Sequence, residues 1–150
     1  CLCGVNCKYN GSNNLDSKCL ELLKTGQAIL VCPEQLGGLS TPRVPAEITS
    51  SNKEDIKDEE FLIKTKNNEN VTEQFMKGAY ETLKIAKEVG ATKAILKEGS
   101  PSCGCNFIYD GTFTGKKIKG MGVTARLLKE NGIDVISDED FGGINNGFIR

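Results

Sequence analysis

The chain has 150 residues, a formal net charge of −1, and 38% hydrophobic and 26% charged residues, the composition of one globular domain rather than a disordered segment. Near-neutral charge excludes the broad basic footprint of bulk nucleic-acid binding and leaves a small ligand, neutral or carrying one phosphate, as the expected partner. No apolar run approaches the ~20 residues that span a bilayer and no signal peptide is visible, so no membrane partner is expected and the cytoplasm is the expected location.

The chain opens on CLCGVNCKYNGSNN, a loop rich in Gly and Asn. A domain that begins on such a loop suggests a truncated first strand, with further residues upstream. From Leu15 to Thr25 the apolar residues Leu15, Cys19, Leu22 and Leu23 form a helical stripe, and Gly26 supplies the stop. QAILVC (27–32) then reads as a short buried strand ended by Pro33. Pro33 to Glu47 is a long loop with three of the four prolines, a length that in compact domains usually serves function. Residues 49–60 read as a charged surface insertion. FLIKT (61–65) is the next strand, and Thr72 caps a helix to Glu88 with Phe75, Ala79, Leu83 and Ala86 on one face. TKAILK (92–97) forms a strand, followed by SPSCGC and the glycine-rich IYDGTFTGKKIKGMG. A helix over 123–131 and a strand over 133–137 precede a loosely docked tail. Strands alternating with helices predict an α/β fold, a single three-layer Rossmann-like domain over 1–150 with a mostly parallel sheet. Asn10-Gly11-Ser12 and Asn70-Val71-Thr72 match the glycosylation sequon by chance.

Seven cysteines and no histidine make the site chemistry unusual. An odd count rules out complete intramolecular disulfide pairing, and a chain of this length needs no staples. Without histidine, any metal would be held by thiolate, with carboxylate as second choice. Cys32 closes one predicted strand and Cys103 follows another, while Cys1 would follow the strand expected upstream. Open α/β sheets bind ligands beyond the carboxyl ends of their strands, so these three thiols should meet at one sheet edge. Cys19, on an apolar helix position, should pack as a small hydrophobe. Any single free cysteine is more often core than ligand. Cys1, Cys3, Cys7, Cys103 and Cys105, however, sit in polar, glycine-rich loops where apolar packing explains little. Paired C-x-x-C knuckles and ferredoxin spacing are both missing. Soft sulfur ligands from separate loops suit an iron–sulfur cluster or a zinc ion, and spacing does not choose between them.

CLCGVNCKYNG, CPEQLGGLSTPRVPAEI, ILKEGSPSCG, IYDGTF and GMGVTARLLKENGIDVIS together resemble the bacterial thiouracil desulfidase family, over nearly the whole chain outside 49–60. The resemblance implies a [4Fe–4S] cluster held by Cys1, Cys32 and Cys103, with the fourth iron open to the sulfur of a thiolated uracil base, nucleoside or nucleotide. It also implies working roles for Glu34 and Ser100. The reaction would be a non-redox desulfuration: iron polarises the C=S bond, Glu34 takes a proton from the attacking water, and Ser100 orients that water or donates to the ring. Arg43 and Lys8 lie on loops expected to border the site, where either could bind an anionic group of the substrate; the competing role for Arg43 is an ion pair with Glu34 or Glu47. Cys3, Lys8, Asn10 and Cys105 depart from the family's usual residues. Cys3, Cys7 or Cys105 at the fourth iron would close it to substrate. Two other readings stand beside this one: a non-catalytic zinc module, and a nucleotide-binding domain with redox-sensitive cysteines whose GMGVTA segment (120–125) opens a helix that could cradle a phosphate.

Overall fold

The computed structural model describes residues 1–49 and 62–143. The expected insertion lies almost wholly outside these residues, as do Phe61 and residues 144–150 of the tail. Ten elements run in the order α1 (Ser17–Lys24), α2 (Pro33–Leu36), β1 (Ala46–Ile48), β2 (Ile63–Thr65), α3 (Thr72–Glu88), β3 (Lys93–Leu96), β4 (Phe107–Tyr109), β5 (Lys117–Lys119), α4 (Val123–Glu130) and β6 (Asp134–Ser137). The protein is α/β. Among the described residues, β3 and β6 pair in parallel, while β1–β2 and β4–β5 are antiparallel pairs.

The β3–β6 pair is apolar on both faces, as a strand with successive side chains pointing to opposite faces permits. Leu96, Ala94 and Val135 join the larger core, built with Phe75, Ala79 and Leu83 of α3 and Leu127 and Leu128 of α4. Ile95 and Ile136 turn the other way, onto Cys19 and Leu22 of α1 and onto Phe141. The fully buried large side chains among them, Phe75, Leu128 and Leu22, each contribute about 1.5–3 kcal/mol. Cys19 is therefore a packing residue, as expected from its helix position.

α1 starts later than its apolar stripe suggests. Asp16 caps it, its carboxylate accepting the amides of Lys18 and Cys19, so Leu15 falls outside the helix and is exposed. The strand expected over 27–32 is absent: those residues have no ladder partner among the described residues, and Ile29 and Leu30 are about half exposed. An apolar run supplies the side chains of a strand but not the neighbouring backbone that its amides need. α3 has the predicted bounds, but Thr72 is its first residue rather than its cap. Its hydroxyl and amide are held by Asn70, whose carboxamide forms the local turn. Asn10 does the same for Ser12, so both sequon asparagines serve as turn formers.

α2 sits against α3 with almost no space between their backbones. A Cβ built on Gly78 would lie 1.9 Å from the Pro33 carbonyl oxygen, and one on Gly37 1.9 Å from that of Gln74. Only two glycines permit this approach, and it fixes the turn that carries Cys32 and Glu34. Gly78→Ala should therefore force the helices apart, at about 3 kcal/mol or roughly 6–12 °C in Tm. An unchanged melting temperature in thermal unfolding would show that the contact is not tight.

Candidate functional site

Two loops meet at the site. The first runs from Cys32 into α2. Cys32 is extended and leads directly into Pro33 at the first helical position, which projects Glu34 from the opening turn. Arg43 holds this turn in place. Its Nε and Nη2 lie 2.7 Å from Glu34 Oε2, its Nη2 donates to the Cys7 carbonyl (2.9 Å), and its Nη1 donates to the Ser40 carbonyl and the Thr41 hydroxyl. Its own amide donates to the Tyr9 carbonyl. All the guanidinium nitrogens are engaged, so the arrangement present is the ion pair with Glu34, the alternative to substrate binding. Glu47 is buried and accepts instead from the Phe113 amide. Lys8 lies over the Tyr9 ring, its ammonium 5.7 Å from the centroid.

The second loop is Ser100–Cys105, and its polar atoms are satisfied from three sides. Within the loop, Ser100 Oγ accepts the amides of Ser102 and Cys103, each at 3.0 Å. From α4, the amide of Val123 donates to the Pro101 carbonyl, and those of Thr124 and Ala125 to the Ser102 carbonyl. The buried hydroxyls of Ser102 and Thr124 are 2.8 Å apart. Gly122 is required here: a Cβ would lie 2.4 Å from the Ser102 carbonyl. These bonds decide against a phosphate cradle at GMGVTA, because the amides that would hold it already bind loop carbonyls. The tight turn into a helix is what forms.

The third support is Glu98, which sequence reasoning missed. Its buried Oε1 accepts the amides of Cys105, Asn106 and Phe107 at 3.0–3.1 Å and that of Gly99 at 3.3 Å, while Oε2 accepts the Asn106 side chain. Burial pushes its pKa up, but the bonds from Phe107, Asn106, Ser137 and Gly99 outweigh burial and hold it below the ordinary carboxylate value. Its contribution to stability is thus present above the ordinary carboxylate range and is lost as pH falls through the lowered value.

The loops converge on Glu34, Ser100, Cys32 and Cys103. Ser100 Oγ is 3.4 Å from Glu34 Oε1. The Cys103 thiol is pushed up to about 12 by burial and by the neighbouring charges of Glu34 and Cys32. Cys32 is raised by burial first, with Cys7 and Glu34 adding to it, and its sulfur lies 4.0 Å from the Cys7 carbonyl. Cys1 is held in the opening loop, where the Asn14 amide donates to its sulfur at 3.4 Å. Cys105 and Cys3 point into apolar packing. Cys105 is buried in the larger core with its sulfur on the Cys103 carbonyl, and Cys3 packs on the smaller core with its sulfur on the Cys19 carbonyl. All seven thiols are free. Among the described residues, no three cysteine or carboxylate side chains gather tightly enough to hold a single ion, and no helix is long and apolar enough to cross a membrane.

The sequence profile of the 2-thiouracil desulfurase family matches residues 1–140. The chain belongs to this family. An uncharacterized protein of Bacillus subtilis (strain 168), YbbK, is 51% identical over 144 residues, covering 96% of this chain and 95% of its own. Among solved structures, the [4Fe-4S]-dependent thiouracil desulfidase TudS superposes with a TM-score of 0.80 at 39% identity, over 93% of this chain and 87% of its own.

Proposed function

We propose that this protein removes sulfur from a thiolated uracil base, nucleoside or nucleotide by net hydrolysis, with a [4Fe–4S] cluster held by Cys1, Cys32 and Cys103. The observation that carries the reading is the meeting of Glu34 and Ser100 with Cys32 and Cys103 in a chain of this family. The donor set fits such a cluster. Thiolates from separate loops are its usual ligands. Two of these thiols are desolvated beside a carboxylate, and a bound metal is the charge that deprotonates thiols so placed. The Asn14 amide on Cys1 is the kind of sulfur hydrogen bond that tunes cluster ligands. A mononuclear zinc module needs four ligands within ~2.3 Å of one ion, a tighter gathering than the described residues offer. Cluster ligands stand farther apart, roughly 6–7 Å.

When bound, a three-cysteine cluster supplies one iron without a protein ligand, a Lewis acid for a thiocarbonyl sulfur. The rest falls to side chains. With Oε2 pinned by Arg43, Glu34 presents Oε1 to take a proton from the water that adds to the ring carbon, and hydrosulfide leaves. Ser100 Oγ already accepts two amides, so its own proton is available to the ring or to the water. Lys8 is left as the cation for an anionic group of the substrate. In fold terms, we read the β3–β6 pair, covered by α3 and α4 on one face and α1 on the other, as the centre of a three-layer Rossmann-like domain. Free thiols suit a reducing cytoplasm.

Anaerobic reconstitution with iron and sulfide, followed by incubation with thiouracil, tests the reading. Brown protein with an iron absorption edge and one hydrosulfide per uracil formed is the expected result. Protein that takes up zinc but no iron, or iron without hydrosulfide release, overturns it.

A further inference from the structure

Ser100–Cys105 carries two thiols separated by one glycine, and both adjoin the larger core, but only Cys105 is buried in it. Cys105 is 9% exposed and lies among the larger core's residues, whereas Cys103 is half-buried and adjoins Glu34 and Cys32. Local chain geometry alone does not impose this difference. The loop up to Cys103 is fixed by Ser100 Oγ and by the first turn of α4; the stretch after Gly104 is held by the Gly122 and Gly120 amides on the Gly104 and Asn106 carbonyls and by the β4–β5 pairing from Phe107, and its backbone has one side-chain anchor. That anchor is the Glu98 carboxylate, which gathers the consecutive amides of Cys105, Asn106 and Phe107 on one oxygen. Glu98 is itself held, through its amide, by Asp138 Oδ1 (2.7 Å). Asp138 pairs with Lys97 and closes the end of the β3–β6 ladder through its amide on the Leu96 carbonyl. The carboxylate therefore stands on the rigid end of the parallel pair.

We propose that Glu98 is a positioning residue that selects which thiol of this loop faces the site. By holding the amides of residues 105–107 it turns the Cys105 side chain into the core and presents Cys103 alone beside Cys32 and Glu34. The selection matters for the reading of Cys103 as a cluster ligand and rests on it for its functional meaning. A loop free to rotate after Gly104 would bring a second thiol to the site, and a catalytic metal site needs an open position. A carboxylate accepts from all sides at once, whereas a carboxamide in its place turns an N–H₂ group toward a donor.

The test is alkylation of the metal-free protein under native conditions, followed residue by residue by mass spectrometry, so its outcome stands whether or not the chain desulfurates. In Glu98→Gln the alkylation rate of Cys105 should rise at least ~10-fold over wild type, while Cys19, buried in the other core, keeps its wild-type rate. Asn106→Ala removes the side-chain donor to Glu98, together with its exposed bond to Asp140, and leaves the three backbone amides on the carboxylate. It should raise Cys105 alone by a smaller factor, and it carries the test if the glutamine variant does not fold. Equal acceleration of Cys105 and Cys19 would show general loosening and overturn the proposal, as would an unchanged Cys105 rate in both variants.

Discussion

Replacing Cys103 by alanine should abolish iron retention and hydrosulfide release together, while Cys105→Ser keeps both. With Cys103 gone, the proposed cluster would be left with two of its three protein thiolates. The neighbouring thiol is not a substitute: Cys105 is buried against the larger core and its backbone is tied to Glu98. Cys105→Ser should instead show a stability cost of about 1–3 kcal/mol, because a hydroxyl replaces a thiol in an apolar setting. Iron content and hydrosulfide release, measured on anaerobically prepared variants beside a urea unfolding curve, separate the two effects. If Cys105→Ser loses iron and Cys103→Ala keeps it, the ligand assignment is reversed.

Much of the fold is legible in the sequence alone. Cys19 stood on an apolar helix stripe and packs there, and the bounds of α3, β3, α4 and β6 follow from periodicity and glycine stops within a residue or two. The strand expected at 27–32 shows the limit of that method. Apolar composition reports what the side chains want and not whether another strand is alongside, and Ile29 and Leu30 remain half exposed. The β4–β5 hairpin went unread although its signal was present. Phe107-Ile108-Tyr109 and Lys117-Ile118-Lys119 each put their central isoleucine on the core side, a period of two hidden on either side of a seven-residue, glycine-containing turn.

The candidate site divides the same way. Cys32, Glu34, Ser100 and Cys103 stand in motifs and lie together, although Cys32 leads into α2 rather than closing the strand expected at 27–32. Glu98 carried no such mark. A glutamate after a strand is usually solvated, and only the convergence of four backbone amides, from residues 99 and 105–107, reveals that this one is a hub. Arg43 lies beside Glu34, on a loop expected near the site, but sequence cannot count donors. With every nitrogen engaged inside the chain, its fork has nothing left for a phosphate.

The second large effect concerns that pair. Glu34→Gln should leave iron content and melting temperature near wild type and lower kcat by ~10²–10⁴-fold, the loss typical of a missing proton-transfer group. Glutamine keeps the shape and one acceptor for Arg43, so the loop stays in place while the base disappears. Arg43→Ala should act by another route. Removing it strands the Glu34 carboxylate, whose side chain is only 17% exposed, and releases the carbonyls of Cys7 and Ser40. Breaking a mostly buried pair from one side costs on the order of 3 kcal/mol, because the remaining charge is left without its partner. Arg43→Ala should therefore melt roughly 6–12 °C lower and bind less iron, since the opening loop and the Cys32 turn lose their common anchor. Its KM for an anionic thiolated nucleotide should match its KM change for the neutral base. Arg43→Lys should restore little, because a single ammonium cannot span Glu34, Cys7 and Thr41 together. Were Arg43→Ala to keep its melting temperature and iron yet raise KM for the nucleotide alone, the guanidinium would be a substrate contact and Lys8 would lose the role assigned to it.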